Sequence, residues 1–263
     1  EGLPGEIAFS VGGRPTRTGR PRKTRAKRAW NGVLDELDAV AARARQRGEK
    51  LDLMPYNAIM FKSRFQRVAL ALGRTDVRLP VEEKVDVAAM PPGKGARFIA
   101  YRAAVAGQDS LFRVAAKQVL SYTRMPALAR FKNYLQAVAH HLEAVHAHQR
   151  GDIAAALAAA RQAMEGERRE KTPPDILGTE LYAELLLERG EAEKTHPVFV
   201  RLLEMRPRNP QYLLGLARAK AALGRGREAL ADYRELLAMW KDADADLPAL
   251  KQVRAFVAQG DWQ

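Results

Sequence analysis

The sequence predicts an all-α protein: an α-solenoid of helical hairpins with a small β element near its N-terminus. Three observations lead there. Gly190 and Gly224 are 34 residues apart, and Thr195 with Ala229 and Phe199 with Tyr233 repeat the same interval. A period of that length accommodates two helices and their turns. Glycine or proline also punctuates the chain at helix-length intervals from Gly48 onward. Finally, only three short stretches, all before residue 90, alternate with the period of a strand.

The composition sets bounds. Of 263 residues, 47% are hydrophobic and 29% charged, enough to build a core. The chain has no cysteine, which excludes a disulfide scaffold, zinc fingers, iron–sulfur sites and a cysteine nucleophile. No apolar run reaches the roughly 18 residues of a membrane helix. Lys and Arg number 44 against 31 Asp and Glu, a net of +13. Starting at Glu1 and lacking cysteine, the chain leans to an exported protein, periplasmic or extracellular, with the cytoplasm left open.

Residues 1–30 read as an extended strand followed by a basic arm. Ile7, Phe9 and Val11 alternate as in a strand, and Gly12-Gly13 ends it. The arm holds Arg14, Arg17, Arg20, Arg22, Lys23, Arg25, Lys27 and Arg28 with no acid among them. Pro15, Gly19 and Pro21 keep it extended.

Residues 31–125 read as helical hairpins with a β-hairpin insertion at 76–88. Asn31 caps a helix to Arg47 whose face is Val33, Leu34, Leu37, Val40 and Ala41. Pro55 opens a second, which Gly73 stops. Val77, Leu79 and Val81 alternate, as do Val85 and Val87, with Glu82-Glu83 between them as a turn. Ala96–Ala106 and Asp109–Tyr122 form a helix pair joined at Gly107.

Residues 126–263 read as three repeats and a capping helix. Pro126 opens a long helix ending near Gly151; an early copy follows with Ala144, Gly151, Ala156 and Ala163, and with Ala160 at the aromatic position. Gly166–Pro174 lengthens its loop. The next copy has Ala183, Gly190, Thr195, Phe199 and Pro207; the last has Leu216-Ala217, Gly224, Ala229 and Tyr233. Asp246–Val257 is the closing helix, with Asp246 as its cap and Pro248 in its first turn.

The small, glycine, small, aromatic order over about 130–241 resembles the tetratricopeptide repeat (TPR) family, with Thr195 in place of the usual alanine. The resemblance implies paired helices A and B, and partner contacts from the concave side of helix A. By repeat position it places His141, Val145 and His148, then Glu180, Glu184 and Glu188, then Arg218 in that groove. It implies no single activity.

Other patterns carry less. His140, His141, His146 and His148 share one helix, but no two have the i, i+3 or i+4 spacing of a metal pair. His141 and His148 share a face about 10 Å apart along the axis. Polar helix positions and groove residues remain the other readings. Asp242, Asp244 and Asp246 imitate a calcium loop, but Leu247 and Val253 stand where its glycine and glutamate belong. Pro92-Gly93-Lys94-Gly95 is not a P-loop, His141-Leu142-Glu143 lacks the cysteines of a zinc deaminase, and no GxSxG or HExxH occurs. The expectation is therefore no enzyme, no cofactor and no metal.

Charge and strands suggest assembly. Residues 1–50 hold 12 basic and 6 acidic residues, whereas 151–200 hold 6 basic and 10 acidic. The arm suits an acidic protein surface, nucleic acid, an anionic membrane or polysaccharide, or a solvated tail; without interleaved aromatics it does not stack bases. Ile7, Phe9 and Val11 can complete the edge of Val77, Leu79, Val81, Val85 and Val87 within one chain or in a neighbouring copy. The expected function is a non-catalytic protein-interaction scaffold that self-associates into a homo-oligomer or filament. The alternative is a basic adaptor that binds nucleic acid or another polyanion through Arg14–Arg28.

Overall fold

The computed structural model describes residues 95–170, 177–243 and 245–259, with Ser63, Gln66, Arg67, residues 70–73, Asp86, Val87 and Met90. The strand at Ile7–Val11, the basic arm, the helix at 31–47 and hairpin positions 77–85 lie outside them. Among the described residues the chain is mostly helical, with nine α-helices and no strand.

The expected first pair is present as α1 (Ala96–Val105) and α2 (Asp109–Tyr122). A 3-10 stretch, Pro126–Phe131, leads into α3 (Lys132–Gln149). The helix expected to open at Pro126 therefore starts in tighter i→i+3 form, with the Leu128 amide donating to the Met125 carbonyl at 2.9 Å. Then come α4 (Ile153–Arg168), α5 (Leu177–Glu188), α6 (Ala192–Met205), α7 (Pro210–Ala222), α8 (Gly226–Met239) and α9 (Pro248–Ala258). Gly190 and Gly224, one period apart, both turn the chain at φ +74°, a conformation an L side chain resists.

Two boundary expectations are corrected. Gly166 is not in a loop but within α4, where a Cβ would stand 2.9 Å from Ala137 Cβ on α3. Its role is close approach of two helices. Asp246 does not cap α9; Leu247 holds that position without a side-chain bond, and Pro248 opens the first turn. Side-chain caps do occur on α4, where Asp152 accepts from the Ala155 amide at 3.0 Å, and on α7, where Asn209 accepts from Gln211 and Tyr212.

Each helix packs on the next, and α1 with α3, α3 with α5 and α5 with α7 also touch. This repeat-like packing of adjacent helices is compatible with an α-solenoid. Its core follows the period. Ala183 and Ala217 are fully buried, as are Thr195 and Ala229, and the Phe199 and Tyr233 rings are buried beside them. Thr195 fits an alanine position because its hydroxyl donates to the Glu191 carbonyl at 2.9 Å. Gly215 lets α7 ride against the Phe199 ring: a Cβ there would come 2.2 Å from Cζ.

The early copy packs without its aromatic. Ala144, Ala156, Ala160 and Ala163 are fully buried. A Cβ on Gly178 would meet Ala163 Cβ at 2.4 Å. Small residues on both sides bring α3, α4 and α5 together where a ring separates the later helices. Buried Glu167 then caps α5, accepting from the amides of Gly178 and Thr179 at 2.7 and 2.9 Å and from the Thr179 hydroxyl at 2.7 Å.

Val87 departs from its expected role in an exchangeable strand. It lies in a bend and is buried with Met90 in the core shared by α1, α2 and α3. The Tyr122 hydroxyl donates to the Met90 carbonyl at 3.1 Å, which anchors this stretch. Among the described residues no helix is long and apolar enough to cross a membrane.

Candidate functional site

The residues expected in the groove come from α3, α5 and α7, and most of them form a row of polar contacts. His148 Nε2 lies 2.9 Å from Glu188 Oε2, linking α3 to α5. Arg218 on α7 donates through Nε to Gln252 Oε1 on α9 at 3.1 Å, with Nη2 on the same oxygen. Arg218 and Gln252 are themselves one period of 34 apart.

Glu180, in the first turn of α5, is the most engaged. Its carboxylate accepts from Arg67 and from the Tyr212 hydroxyl, and Arg206 Nη1 stands 3.5 Å away. Burial and then the Glu180 charge push the Tyr212 phenol up. Burial pulls the Arg67 guanidinium down, but Glu180, with Tyr101, Glu184 and Tyr212, outweighs it and holds Arg67 above its ordinary value.

One turn along, Glu184 is exposed, and it accepts no hydrogen bond among the described residues. The protein mass around α5, followed by the Glu180 charge, pushes its carboxyl up even though the residue is exposed; Arg67 and Arg218 act against this. Burial lowers Arg218, with Tyr233 and Glu184 opposing. Burial raises Tyr101 on α1, and Glu184 adds to it.

Two expected groove residues lie beneath this face. Val145 belongs to the core of α1, α2 and α3. His141 is buried, its ring parallel to Tyr101 with centroids 6.4 Å apart. The remaining histidines of that helix have local partners. His140 lies 3.3 Å from Glu143. His146 stacks on Phe112 at 4.1 Å and lies 2.8 Å from Asp109 Oδ1, while Arg150 reaches Oδ2 at 3.0 Å. The bond from His146 is the main reason Asp109 sits below the usual carboxylate range. Among the described residues no three His, Asp or Glu side chains converge to hold a metal ion.

The segment just upstream lies along the same row. Ser63, Gln66, Arg67, Leu70 and Ala71 are helical, and Gly73 ends the segment at φ +82°. The Ser63 hydroxyl donates to the Phe98 carbonyl on α1 at 3.3 Å, Arg67 meets Glu180 on α5, and the Leu72 carbonyl accepts from the Ala249 amide on α9 at 3.3 Å. This short stretch thus touches the row near both ends and in the middle. Arg67, Tyr101 and Tyr212 were not expected at the site. Arg67 is 113 residues from its partner Glu180, and no local pattern marks a pairing at that distance.

The other expected site residues lie outside the described residues. They are Ile7, Phe9, Val11, Val77, Leu79, Val81 and Val85 for strand exchange, and Arg14, Arg17, Arg20, Arg22, Lys23, Arg25, Lys27 and Arg28 of the arm. Comparison with protein-family models, curated proteins and solved structures finds no match for this chain.

Proposed function

We propose that this chain is a non-catalytic protein-interaction and assembly scaffold, a TPR-like α-solenoid that self-associates. The observation that carries the reading is the polar row along α3, α5, α7 and α9, in which His148–Glu188 and Arg218–Gln252 join successive odd-numbered helices. A repeated, solvent-facing row of this kind is a surface for another polypeptide. Charge supports assembly among copies: the arm carries eight cations without an acid, while 151–200 holds 10 acids against 6 bases. Poles of opposite sign attract between copies and lose force as salt screens them.

Two copies with different tags, mixed and purified on one tag at low salt, are expected to come through together and to separate at high salt. Recovery of only the tagged copy at low salt contradicts self-association. The same arm favours a second reading, a basic adaptor for nucleic acid, because eight clustered cations also neutralise phosphates.

A further inference from the structure

We infer that the outward face of α2 is a docking surface for an anionic lipid membrane, on which the chain rests without crossing it. The inference goes beyond the scaffold reading and does not depend on it.

Helical spacing gives α2 two sides. Phe112, Ala115, Val119 and Tyr122 are buried in the core shared with α1 and α3. Arg113, Lys117 and Leu120 lie on the other side at i, i+4 and i+7, with Val114 beside them, and all four are exposed. Arg124 and Met125 follow just past the last turn, also exposed. Two independent properties coincide here. The first is apolar surface: Val114, Leu120 and Met125 are 55, 41 and 39% exposed, three of the four large hydrophobic side chains so exposed among the described residues. The second is charge of one sign. From Ser110 to Leu142 the chain has five Lys and Arg and no Asp or Glu. Arg113, Lys117 and Arg124 have no carboxylate within ion-pair distance among the described residues, whereas Arg150, Arg161, Arg189 and Lys194 each have one. The nearest acid in sequence, Asp109, is held by His146 and Arg150.

Cations alone suit any polyanion. The aliphatic side chains among them decide between the partners. Val114, Leu120 and Met125 gain nothing from phosphates in water, and both aromatic rings of α2 above its last residue pair, Phe112 and Tyr122, are buried, so no base can stack on this face. An acidic protein surface carries bases of its own, and this face has no acid to receive them. A bilayer of anionic lipid offers headgroup charge across its whole surface and acyl chains just beneath, so it takes the cations and the single aliphatic side chains together. The net +13 of the chain draws it toward such a surface at long range. Because no helix among the described residues is long and apolar enough to cross, the contact is with the surface alone.

The test is flotation of the intact chain with vesicles of phosphatidylcholine alone or of phosphatidylcholine containing phosphatidylserine. Binding is expected only with phosphatidylserine present. Arg113→Gln with Lys117→Gln should weaken it about tenfold, the loss of two cations at the headgroups. Val114→Ser with Leu120→Ser should weaken it several-fold although no charge changes. Arg201→Gln with Arg234→Gln removes the same charge from exposed positions on α6 and α8 and should change binding far less. This control separates the face from the basic arm, which every variant keeps. No binding, full binding by the Val114→Ser, Leu120→Ser variant, or an equal loss in the Arg201→Gln, Arg234→Gln control would each overturn the assignment. Binding to soluble polyglutamate that the Val114→Ser, Leu120→Ser pair weakens as much as it weakens vesicle binding would assign the face to an acidic protein instead. Such a failure leaves the scaffold reading in place, because that is decided by co-purification of tagged copies.

Discussion

Phe199→Ala is expected to lower the free energy of unfolding by about 3–5 kcal/mol, the cost of deleting a buried aromatic ring from a packed core. Phe199 lies with Ala183, Leu202, Tyr212 and Leu216, so one ring joins α5, α6 and α7. Gly215 is its counterpart: the ring occupies the space a Cβ would need. Gly215→Ala should therefore cost about 1–3 kcal/mol through overpacking. Combined with Phe199→Leu, which frees part of that space, it should cost less than the two single changes added together. Denaturant melts of the parent chain, the three single variants and the double variant measure this. Strict additivity, or a Phe199→Ala cost below about 1 kcal/mol, would contradict the packing described.

Glu180→Ala should cost about 3 kcal/mol, because it strands donors rather than just removing an acceptor. Arg67 and the Tyr212 hydroxyl both give to this carboxylate in a largely buried setting, and an unpaired donor there is more costly than the pair was favourable. Glu180→Gln keeps one oxygen acceptor and should cost less. The loss should also be local. Amide exchange at 63–73 should accelerate in Glu180→Ala more than exchange in α8, since the Arg67 contact fastens that segment to α5. Unchanged exchange at 63–73 would show that Ser63 and Leu72 hold the segment without Arg67.

What could be read from the chain, and what could not, divides by range of interaction. Gly190 and Gly224, Ala183 and Ala217, and Phe199 and Tyr233 could be aligned by period, and the structure buries or turns each pair alike. These positions answer to their own hairpin and the next, so their pattern recurs every 34 residues. Gly166 misled because a glycine near a helix end looks the same whether it breaks the helix or admits a neighbour, and only the position of Ala137 decides. Asp246 misled because a good capping residue one place too early still matches the local pattern. Val87 alternates with Val85 as a strand residue would, yet burial against α1, α2 and α3 satisfies the same apolar spacing.

The row of polar side chains was legible in outline. Repeat position alone brought Glu180, Glu184, Glu188, His148 and Arg218 to one row. It did not separate His141 and Val145, which face the core, because α3 buries residues on more than one side. Nor did it reveal that Glu180 is taken by Arg67 while Glu184 accepts no hydrogen bond among the described residues. That distinction arises from a contact between distant parts of the chain.

The most direct test of the scaffold account is the mass of the particle in solution, measured by light scattering on the intact chain and on a chain lacking residues 1–13. Self-association predicts a multiple of the single-chain mass for the intact protein and a single chain once Ile7, Phe9 and Val11 are gone. A single-chain mass for the intact protein at every concentration would contradict it, and an oligomer unchanged by the deletion would remove the N-terminal strand from the account.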